Sequence, residues 1–346
     1  MQTHFRRTLL LGIAIALGAE PTRAQVAYES PGGRVEILGL QTWTLQMLRD
    51  SVRSRLPGIE LHDAACMVVL IDSLGFADAL VSKLRYETAP GAPMQQVLVI
   101  KLVEPQARHR VQWLERPPDN FTVLRPEYAS VVLAASDTNG ALWSGRLLWP
   151  LQFYGRGQQA RAEAIANAPS TVRADAERLW TFLENHRTEN DARNARRVLR
   201  RDGAYADRLV AAAILANFPE HDSTWLALTD ALRDTHESVR GAARAVLQAL
   251  PSRKVNWMPH VESLRLLVGG TNVGASEEVF QMLARTEVAP SLARALLHQN
   301  EFWVLSHLRA GYPGAAGTAR ALLVQLHAGT DLGPGDTAWA TWIRTL

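Results

Sequence analysis

Cysteine is almost absent from this sequence, since Cys66 is the single cysteine among 346 residues. No disulfide can form within one chain, and the paired cysteines of a zinc site are also missing. Cys66 lies in the apolar run 64–70, which is typical of a buried, unreactive thiol. The sequence also lacks a metal-binding HExxH motif, and the consecutive residues His221-Asp222-Ser223 cannot adopt the geometry of a catalytic triad. We therefore predict no metal, no cofactor and no catalytic residue.

Hydrophobic runs long enough to cross a membrane are missing too. The apolar run 9–19 falls short of the roughly 20 residues that span a bilayer. It follows the basic residues Arg6 and Arg7 and precedes a small-x-small site at Thr22-Arg23-Ala24. These features predict a signal peptide at 1–24 that is cleaved after Ala24. The mature protein is then expected to be periplasmic or secreted, with no transmembrane segment.

The sequence also lacks a strong excess of positive or of negative charge. The whole chain has a net charge of +3, and removal of residues 1–24, which carry three arginines and one glutamate, lowers it to +1. A nearly neutral chain gives little support to nucleic-acid binding, and export argues against it as well. We therefore expect no nucleic-acid partner.

What is present begins with an alternating run at 34–40, which is typical of a strand. Two helical patterns follow, the first capped by Thr42 or Thr44 and the second beginning near Asp63 and ending at Gly75. Their apolar positions are Leu45, Leu48, Val52 and Leu56 in the first, and Met67, Leu70, Ile71 and Leu74 in the second. The runs 79–88 and 94–103 alternate again, on either side of a turn. The order strand, helix, helix, strand, strand predicts a small α/β domain over 30–105.

Three short patterns accompany this order: Val35-x-Ile37-x-Gly39, Leu74-Gly75-Phe76 and the strand end Val103-Glu104-Pro105. With them, the region resembles a POTRA domain. The resemblance implies a module of the bacterial envelope that binds proteins, often by adding a strand to its sheet edge. It does not extend to the insertion or transport of outer-membrane proteins. A different small α/β sandwich is the alternative.

Residues 106–171 carry frequent proline and glycine, with tryptophans such as Trp113 among them. Frequent proline and glycine indicate loops and short helices. We predict an irregular connecting region whose aromatic residues pack on the neighbouring domains.

Residues 172–346 form a succession of helical patterns in which residue types recur at an offset of 32. The recurring pairs are Asp202 and Asp234, Arg208 and Arg240, Ala211 and Ala243, Leu215 and Leu247, Pro219 and Pro251, and Trp225 and Trp257. A fixed period of this length indicates stacked helical repeats, whose units bury their apolar faces against one another.

The clearest unit covers residues 222–251. Its first helix carries Trp225, Leu228 and Leu232 on one face, and its second carries a stripe of Val239, Ala242, Ala243, Val246 and Leu250. Asp234 is predicted to cap the second helix, with Glu237 as its partner in a capping box.

Asp234 and Arg240 lie six residues apart at the turn of this unit, and Asp202 and Arg208 repeat that spacing one unit earlier. On these residues, the region 172–346 resembles HEAT repeats. The resemblance implies an α–α superhelix, or solenoid, in which the four residues bridge adjacent turns and have a structural role. The expected fold is therefore multidomain: a POTRA-like α/β domain followed by an all-α, HEAT-like solenoid.

One helical pattern places arginines on a single face, with Ala192, Ala195, Val198 and Leu199 opposite. These arginines, called the arginine stripe below, are Arg193, Arg196, Arg197, Arg200 and Arg201. The stripe is either a solvated face or a docking surface for an acidic protein or for phosphate groups of anionic lipid or lipopolysaccharide.

The preferred hypothesis is an exported, non-enzymatic scaffold of the bacterial envelope that holds partner proteins through both domains. The first alternative is an enzyme of the lyase type built on HEAT-like repeats, with a site drawn from residues such as Glu277, Glu278 or His298. The second is attachment to an anionic membrane surface through the arginine stripe.

Overall fold

The computed structural model describes residues 25–31, 33–63, 65–87, 91–115, 148, 150–151, 157–168, 170, 173–201 and 203–346. The predicted signal peptide at 1–24 lies outside these ranges, as do Asp202 and much of the connecting region 106–171.

A four-stranded sheet forms the N-terminal part. Its strands are β1 (Gln25–Ser30), β2 (Gly33–Leu38), β3 (Asp78–Tyr86) and β4 (Gln95–Val103), in the spatial order β1-β2-β4-β3. β2 and β4 are parallel, and the β1–β2 and β3–β4 pairs are antiparallel. The parallel pair is possible because the helices between β2 and β3 carry the chain back across the sheet.

Strand β1 is one more than the sequence analysis predicts, because that analysis placed the first strand at 34–40. Val26 and Tyr28 are partly buried and pack against the core beneath the sheet, whereas Ala27 and Glu29 are exposed. This alternation is the signal that could have revealed the strand.

The two predicted helices of the sheet module are present, with one correction. Helix α1 (Leu45–Arg55) is capped by Thr44, whose hydroxyl accepts a hydrogen bond from the Met47 amide at 3.2 Å. Helix α2 (Cys66–Val68) is short and continues as a π-helix at Val69–Ser73. The wider π turn changes which side chains face the sheet, so Leu70 is buried while Ile71, predicted on the same apolar face, is exposed.

The remainder of the described chain is helical. After a 3₁₀ turn at Pro105–Arg110, the helices are α3 (Gln158–Asn167), α4 (Arg173–Asn185), α5 (Glu189–Arg201), α6 (Tyr205–Ile214), α7 (Asp222–Ala231), α8 (Glu237–Ala249), α9 (Val261–Val268), α10 (Ser276–Arg285), α11 (Ala293–Leu297), α12 (Glu301–Leu308), α13 (Pro313–Leu326) and α14 (Asp336–Ile343). The predicted layout of an α/β part followed by a helical array is confirmed at this level.

The helices from α5 onward contact one another in two rows. One row runs α5, α7, α9, α11, and the other runs α6, α8, α10, α13, with α5–α6, α7–α8 and α9–α10 packed across the rows. The predicted apolar faces of the 222–251 unit are buried, from Trp225 and Leu228 in α7 to Val239 and Val246 in α8.

The sheet packs on the second row of this array, so both of its faces are covered. One face lies against α1 and α2 through residues such as Ile37, Ile100 and Leu102. The other face presents Leu38, Val97 and Val99 to Ala310, Tyr312 and Ala315 of the array. Sheet and array therefore share a buried interface.

Gly39 shows how closely the two parts approach each other. Its φ is +99°, and a Cβ at this position would lie 2.0 Å from the Leu102 carbonyl oxygen and 2.8 Å from the Trp303 ring. Only glycine satisfies both the backbone conformation and the close approach of the array. This explains the glycine of the Val35-x-Ile37-x-Gly39 pattern.

Candidate functional site

The interface between sheet and array contains a cluster of four polar side chains, called the interface cluster: Lys101, Glu277, His307 and Tyr312. Lys101 lies near the C-terminal end of β4 with its side chain 5% exposed, and it forms an ion pair with Glu277, in the first turn of α10. The Tyr312 hydroxyl donates a hydrogen bond to the other carboxylate oxygen of Glu277. Both oxygens of Glu277 are thus occupied by protein groups.

The electrostatics of the cluster follow from this arrangement. Burial alone would raise the pKa of Glu277, but the Lys101 ammonium and the neighbouring donors lower it to about 2. Burial lowers the pKa of His307 to about 4, because the fully buried imidazole is hard to charge despite Glu277 at 3.9 Å. Burial and the adjacent Glu277 raise the pKa of Tyr312. At neutral pH the cluster is an ionised Lys–Glu pair beside a neutral imidazole and a neutral phenol.

A second polar contact joins the same surfaces. Glu36 on β2 is fully buried, accepts a hydrogen bond from the Gly311 amide at 2.8 Å and pairs with Arg34 at 2.8 Å. On the sheet edge, the Asp78 carboxylate accepts from the Val273 amide at 2.9 Å. Glu36 and Asp78 thus each accept a hydrogen bond from a backbone amide of the array, and these contacts hold the sheet against the array.

The interface cluster predicts a specific acid sensitivity. The pKa of His307 is about 4 in the folded protein against an ordinary 6.5, so the unfolded chain takes up the proton first. We expect the free energy of unfolding to fall as the pH drops from about 6.5 to about 4, by at most about 1.4 kcal/mol per pH unit from this group. Glu277 adds a further loss between its ordinary 4.5 and about 2.

Urea denaturation at a series of pH values measures this dependence. His307→Gln should flatten the slope between pH 6.5 and 4, because glutamine takes up no proton there. His298→Gln, at an exposed position on α11, should leave the slope unchanged. An identical slope in the wild type and His307→Gln would contradict the assignment.

The residues considered for an enzyme do not converge. Glu277 belongs to the interface cluster, and Glu278 points instead towards Arg244, with Oε1 and Nε 3.7 Å apart. His298 is exposed on α11 and lines a different surface. Within the described ranges, no group of three or more His, Cys, Asp or Glu side chains is placed to hold a metal ion. The thiol of Cys66 is buried, and this burial raises its pKa to about 12.

The described residues of the predicted repeat lie near the starts of helices: Arg208 and Arg240 are in the first turns of α6 and α8, and Asp234 lies in the turn that precedes α8. Arg208 forms a buried two-pronged ion pair with Asp234, with Nε–Oδ2 and Nη2–Oδ1 distances of 2.9 and 3.2 Å. Arg240 donates to the Asp234 and Thr235 carbonyl oxygens, at 2.8 and 3.1 Å. Arg208 and Asp234 thus link successive units, while Asp202 lies outside the described residues.

The predicted capping box at Asp234 is wrong. Helix α8 begins at Glu237 and its N-cap is His236, whose ring accepts from the Ser238 amide. Asp234 instead accepts from the His236 amide at 2.7 Å while it pairs with Arg208. The carboxylate is held by the neighbouring unit, which a local capping pattern does not reveal.

Arg240 also holds the connecting segment against the array. Its guanidinium lies 4.5 Å from the centre of the Trp113 ring, and burial lowers its pKa. The neighbouring Leu114 amide donates to the Arg233 carbonyl oxygen at 2.8 Å. The expectation that an aromatic residue of 106–171 packs on a neighbouring domain is confirmed for Trp113.

The arginine stripe lies on α5 and faces solvent. Arg193, Arg197, Arg200 and Arg201 are exposed, and among the described residues none of them has a carboxylate partner. Arg196 differs, since it is partly buried and pairs with Glu189 at 3.1 Å. The opposite face, with Ala192, Ala195, Val198 and Leu199, is buried as predicted. The stripe therefore offers four exposed guanidinium groups on a rigid helix.

Neither protein-family models nor curated proteins nor solved structures give a match to this chain. Over the described part of the chain, no helix has both the length and the apolar character needed to cross a bilayer.

Proposed function

We propose that this protein is a non-enzymatic binding scaffold of the bacterial envelope, exported by a signal peptide at 1–24. It holds an acidic partner protein on the arginine stripe of α5. The observation that carries the proposal is the set of four exposed arginines that have no carboxylate partner among the described residues, whereas the buried charges of Lys101–Glu277 and Arg208–Asp234 are paired within the protein. Unpaired like charges on one helix face repel each other, and an acidic partner relieves that repulsion.

The fold supports this reading in two ways. The order β-α-α-β-β over residues 33–103 supports the POTRA-like interpretation of the sheet module. The two contacting rows of helices, with the Arg208–Asp234 link between units, support a HEAT-like solenoid. Both architectures suit proteins that bind other proteins over an extended surface.

The sheet module has less surface available for binding a partner than a free module would have. Its two faces are covered by helices, which leaves the outer edges of β1 and β3 as its accessible backbone. In this proposal the module is a fixed part of the frame on which the α5 surface is presented.

A titration with a defined acidic probe tests the proposal. The full-length mature chain is titrated into a fluorescein-labelled, glutamate-rich helical peptide, and binding is followed by anisotropy. Replacing Arg193, Arg197, Arg200 and Arg201 together by glutamine should weaken binding about tenfold or more, because each exposed ion pair contributes roughly 0.3–1 kcal/mol. Binding should also fall steeply towards about 1 M salt, where charges are screened within about 3 Å.

The matched control removes the same charge elsewhere. Arg55, Lys83, Arg85 and Lys254 are exposed, and their joint replacement by glutamine should leave the affinity unchanged at a given salt concentration. If both quadruple variants weaken peptide binding equally, the effect depends only on net charge, which would contradict specific binding at the arginine stripe. If the protein sediments with anionic vesicles in a stripe-dependent way and does not bind the peptide, the partner is a membrane surface and not a protein.

A further inference from the structure

A cavity of about 530 Å³ lies between the connecting segment and the array, and none of its lining residues belongs to the arginine stripe. Its polar lining comes from His109, Arg110, Gln112, Arg265, Gln299 and Asn300. None of its lining residues, among those that the structure describes, is an aspartate or a glutamate. A small-ligand pocket of ordinary size is thus lined by cations and amides.

Arg110 is the distinctive residue of this cavity. It is partly buried, and burial lowers its pKa with no nearby carboxylate to oppose the effect. Within the described part of the chain, its guanidinium has no hydrogen-bond acceptor, and its recorded contact is the Phe302 ring at 5.9 Å. Partial burial of a cation that has no acceptor among the described residues costs free energy, and an anion in the cavity would offset that cost.

The backbone holds Arg110 in place. The hydroxyl of Thr271, at the end of α9, donates to the Arg110 carbonyl oxygen at 2.5 Å. The same hydroxyl accepts from the Gln112 amide at 3.3 Å. Because Thr271 is fully buried, it anchors the connecting segment at two cavity-lining residues, Arg110 and Gln112. Arg110 is therefore presented by a fixed backbone.

Arg265 supplies the second guanidinium from α9. It forms a two-pronged ion pair with Glu262, with Nε–Oε2 and Nη2–Oε1 distances of 2.8 and 2.5 Å, and its Nη1 donates to the Gln299 side-chain oxygen at 3.2 Å. One N–H of Nη1 and one of Nη2 remain to donate to a ligand. An adjoining groove of about 690 Å³ shares Arg265 and Gln299 and adds Ser291, Arg294 and His298, again without an acidic lining residue. The positive lining thus continues from the cavity along α11.

We propose that this cavity binds a phosphate-bearing ligand, with Arg110 and Arg265 on the phosphate and the remainder of the ligand in the groove along α11. Two guanidinium groups from different elements suit the doubly charged phosphate better than a single carboxylate, since a phosphate has enough oxygens to accept from Arg110 and from the remaining N–H groups of Arg265. A soluble phosphomonoester and the headgroup of a phospholipid share this chemistry. The proposal is independent of the function assigned to the arginine stripe.

Calorimetric titration of the full-length mature chain with inorganic phosphate, and then with glycerol 3-phosphate, tests the site. Binding should saturate at one site per chain. Arg110→Gln should weaken it about tenfold or more, because a charge-assisted contact is lost. Arg55→Gln, at an exposed position on α1, is the control and should bind as the wild type does.

Arg294→Gln, exposed in the groove, is a second variant that should leave the fold intact. It should weaken glycerol 3-phosphate more than inorganic phosphate, because it lies beside the distal part of the ligand. Arg110-dependent binding to phosphatidate-containing vesicles, stronger than to glycerol 3-phosphate, would identify the ligand as a lipid headgroup. The proposal is overturned if phosphate binding does not saturate, if Arg110→Gln binds as the wild type does, or if succinate binds as tightly as phosphate.

Discussion

Lys101→Met should destabilise the protein by about 3–5 kcal/mol, because it leaves the buried Glu277 carboxylate without its cation. The lysine side chain is 5% exposed and the glutamate 17%, so water cannot replace the lost partner. Tyr312 alone would then donate to the carboxylate, and the pKa of Glu277 would rise towards the value that burial favours. Equilibrium urea denaturation followed by tryptophan fluorescence measures the change.

Two variants give this prediction its controls. The double variant Lys101→Met/Glu277→Gln removes both charges while keeping an acceptor for Tyr312, and it should recover most of the loss. Lys83→Met removes an exposed lysine from the neighbouring strand β3 and should stay within about 0.5 kcal/mol of the wild type. If Lys101→Met were as mild as Lys83→Met, the interface cluster would not hold the sheet to the array.

Arg208→Met should cost a similar amount, about 3–5 kcal/mol, for the same physical reason. Arg208 and Asp234 are 3% and 1% exposed, and the guanidinium also donates to the Gly203 carbonyl oxygen at 2.8 Å. Methionine fills part of the space but leaves the Asp234 carboxylate buried and the link between α6 and the α7–α8 turn broken. Urea denaturation should show a lower midpoint for the variant.

The chain offers a matched surface pair as the control. Arg320 and Asp331 form a similar two-pronged contact, at 3.0 and 2.6 Å, but their side chains are 39% and 42% exposed. Arg320→Met should therefore cost between 0 and about 1 kcal/mol. Equal losses of stability for Arg208→Met and Arg320→Met would show that burial of the Arg208–Asp234 pair adds nothing to the stability of the array.

Local sequence patterns predicted those elements whose causes are local. Thr44 caps α1 because its hydroxyl reaches an amide three residues later, and the alternation in 94–103 gives β4. The 32-residue offset singles out Arg208 and Asp234 as members of recurring pairs, but the pairing of these two residues with each other, 26 positions apart, is seen only in the structure. Periodicity and capping act over a few residues, so one sequence is enough to show them.

The features that sequence reasoning missed depend on contacts between distant residues. Lys101 and Glu277 are 176 residues apart, and the sequence pattern does not reveal which residue pairs with the lysine of β4. The hydrogen bonds from the backbone amides of Gln41, Thr42 and Trp43 to the Glu104 carboxylate also join distant residues, 61 to 63 positions apart. A charged residue at a strand position that should face the core is the one available signal, and Glu36 and Lys101 both fit it.

Because of these contacts between distant residues, the sheet module and the helical array cannot be treated as separate binding units. From the sequence, the sheet module and the helical array were expected to hold partners separately. A test by deletion of 30–105 would expose Glu277 and the apolar residues Ala310 and Ala315, and would damage the array as well. Point substitutions on the exposed surface are the appropriate tests, because they leave the contacts between sheet and array intact.

Hydrogen–deuterium exchange of the full-length mature chain, with and without the glutamate-rich peptide, tests most directly which surface binds. The proposed function predicts slower exchange in peptides from α5, residues 189–201, and unchanged exchange in the edge strands at 25–30 and 78–86. Protection of an edge strand with α5 unchanged would instead mean that partners bind by strand addition, and would contradict the assignment of the arginine stripe.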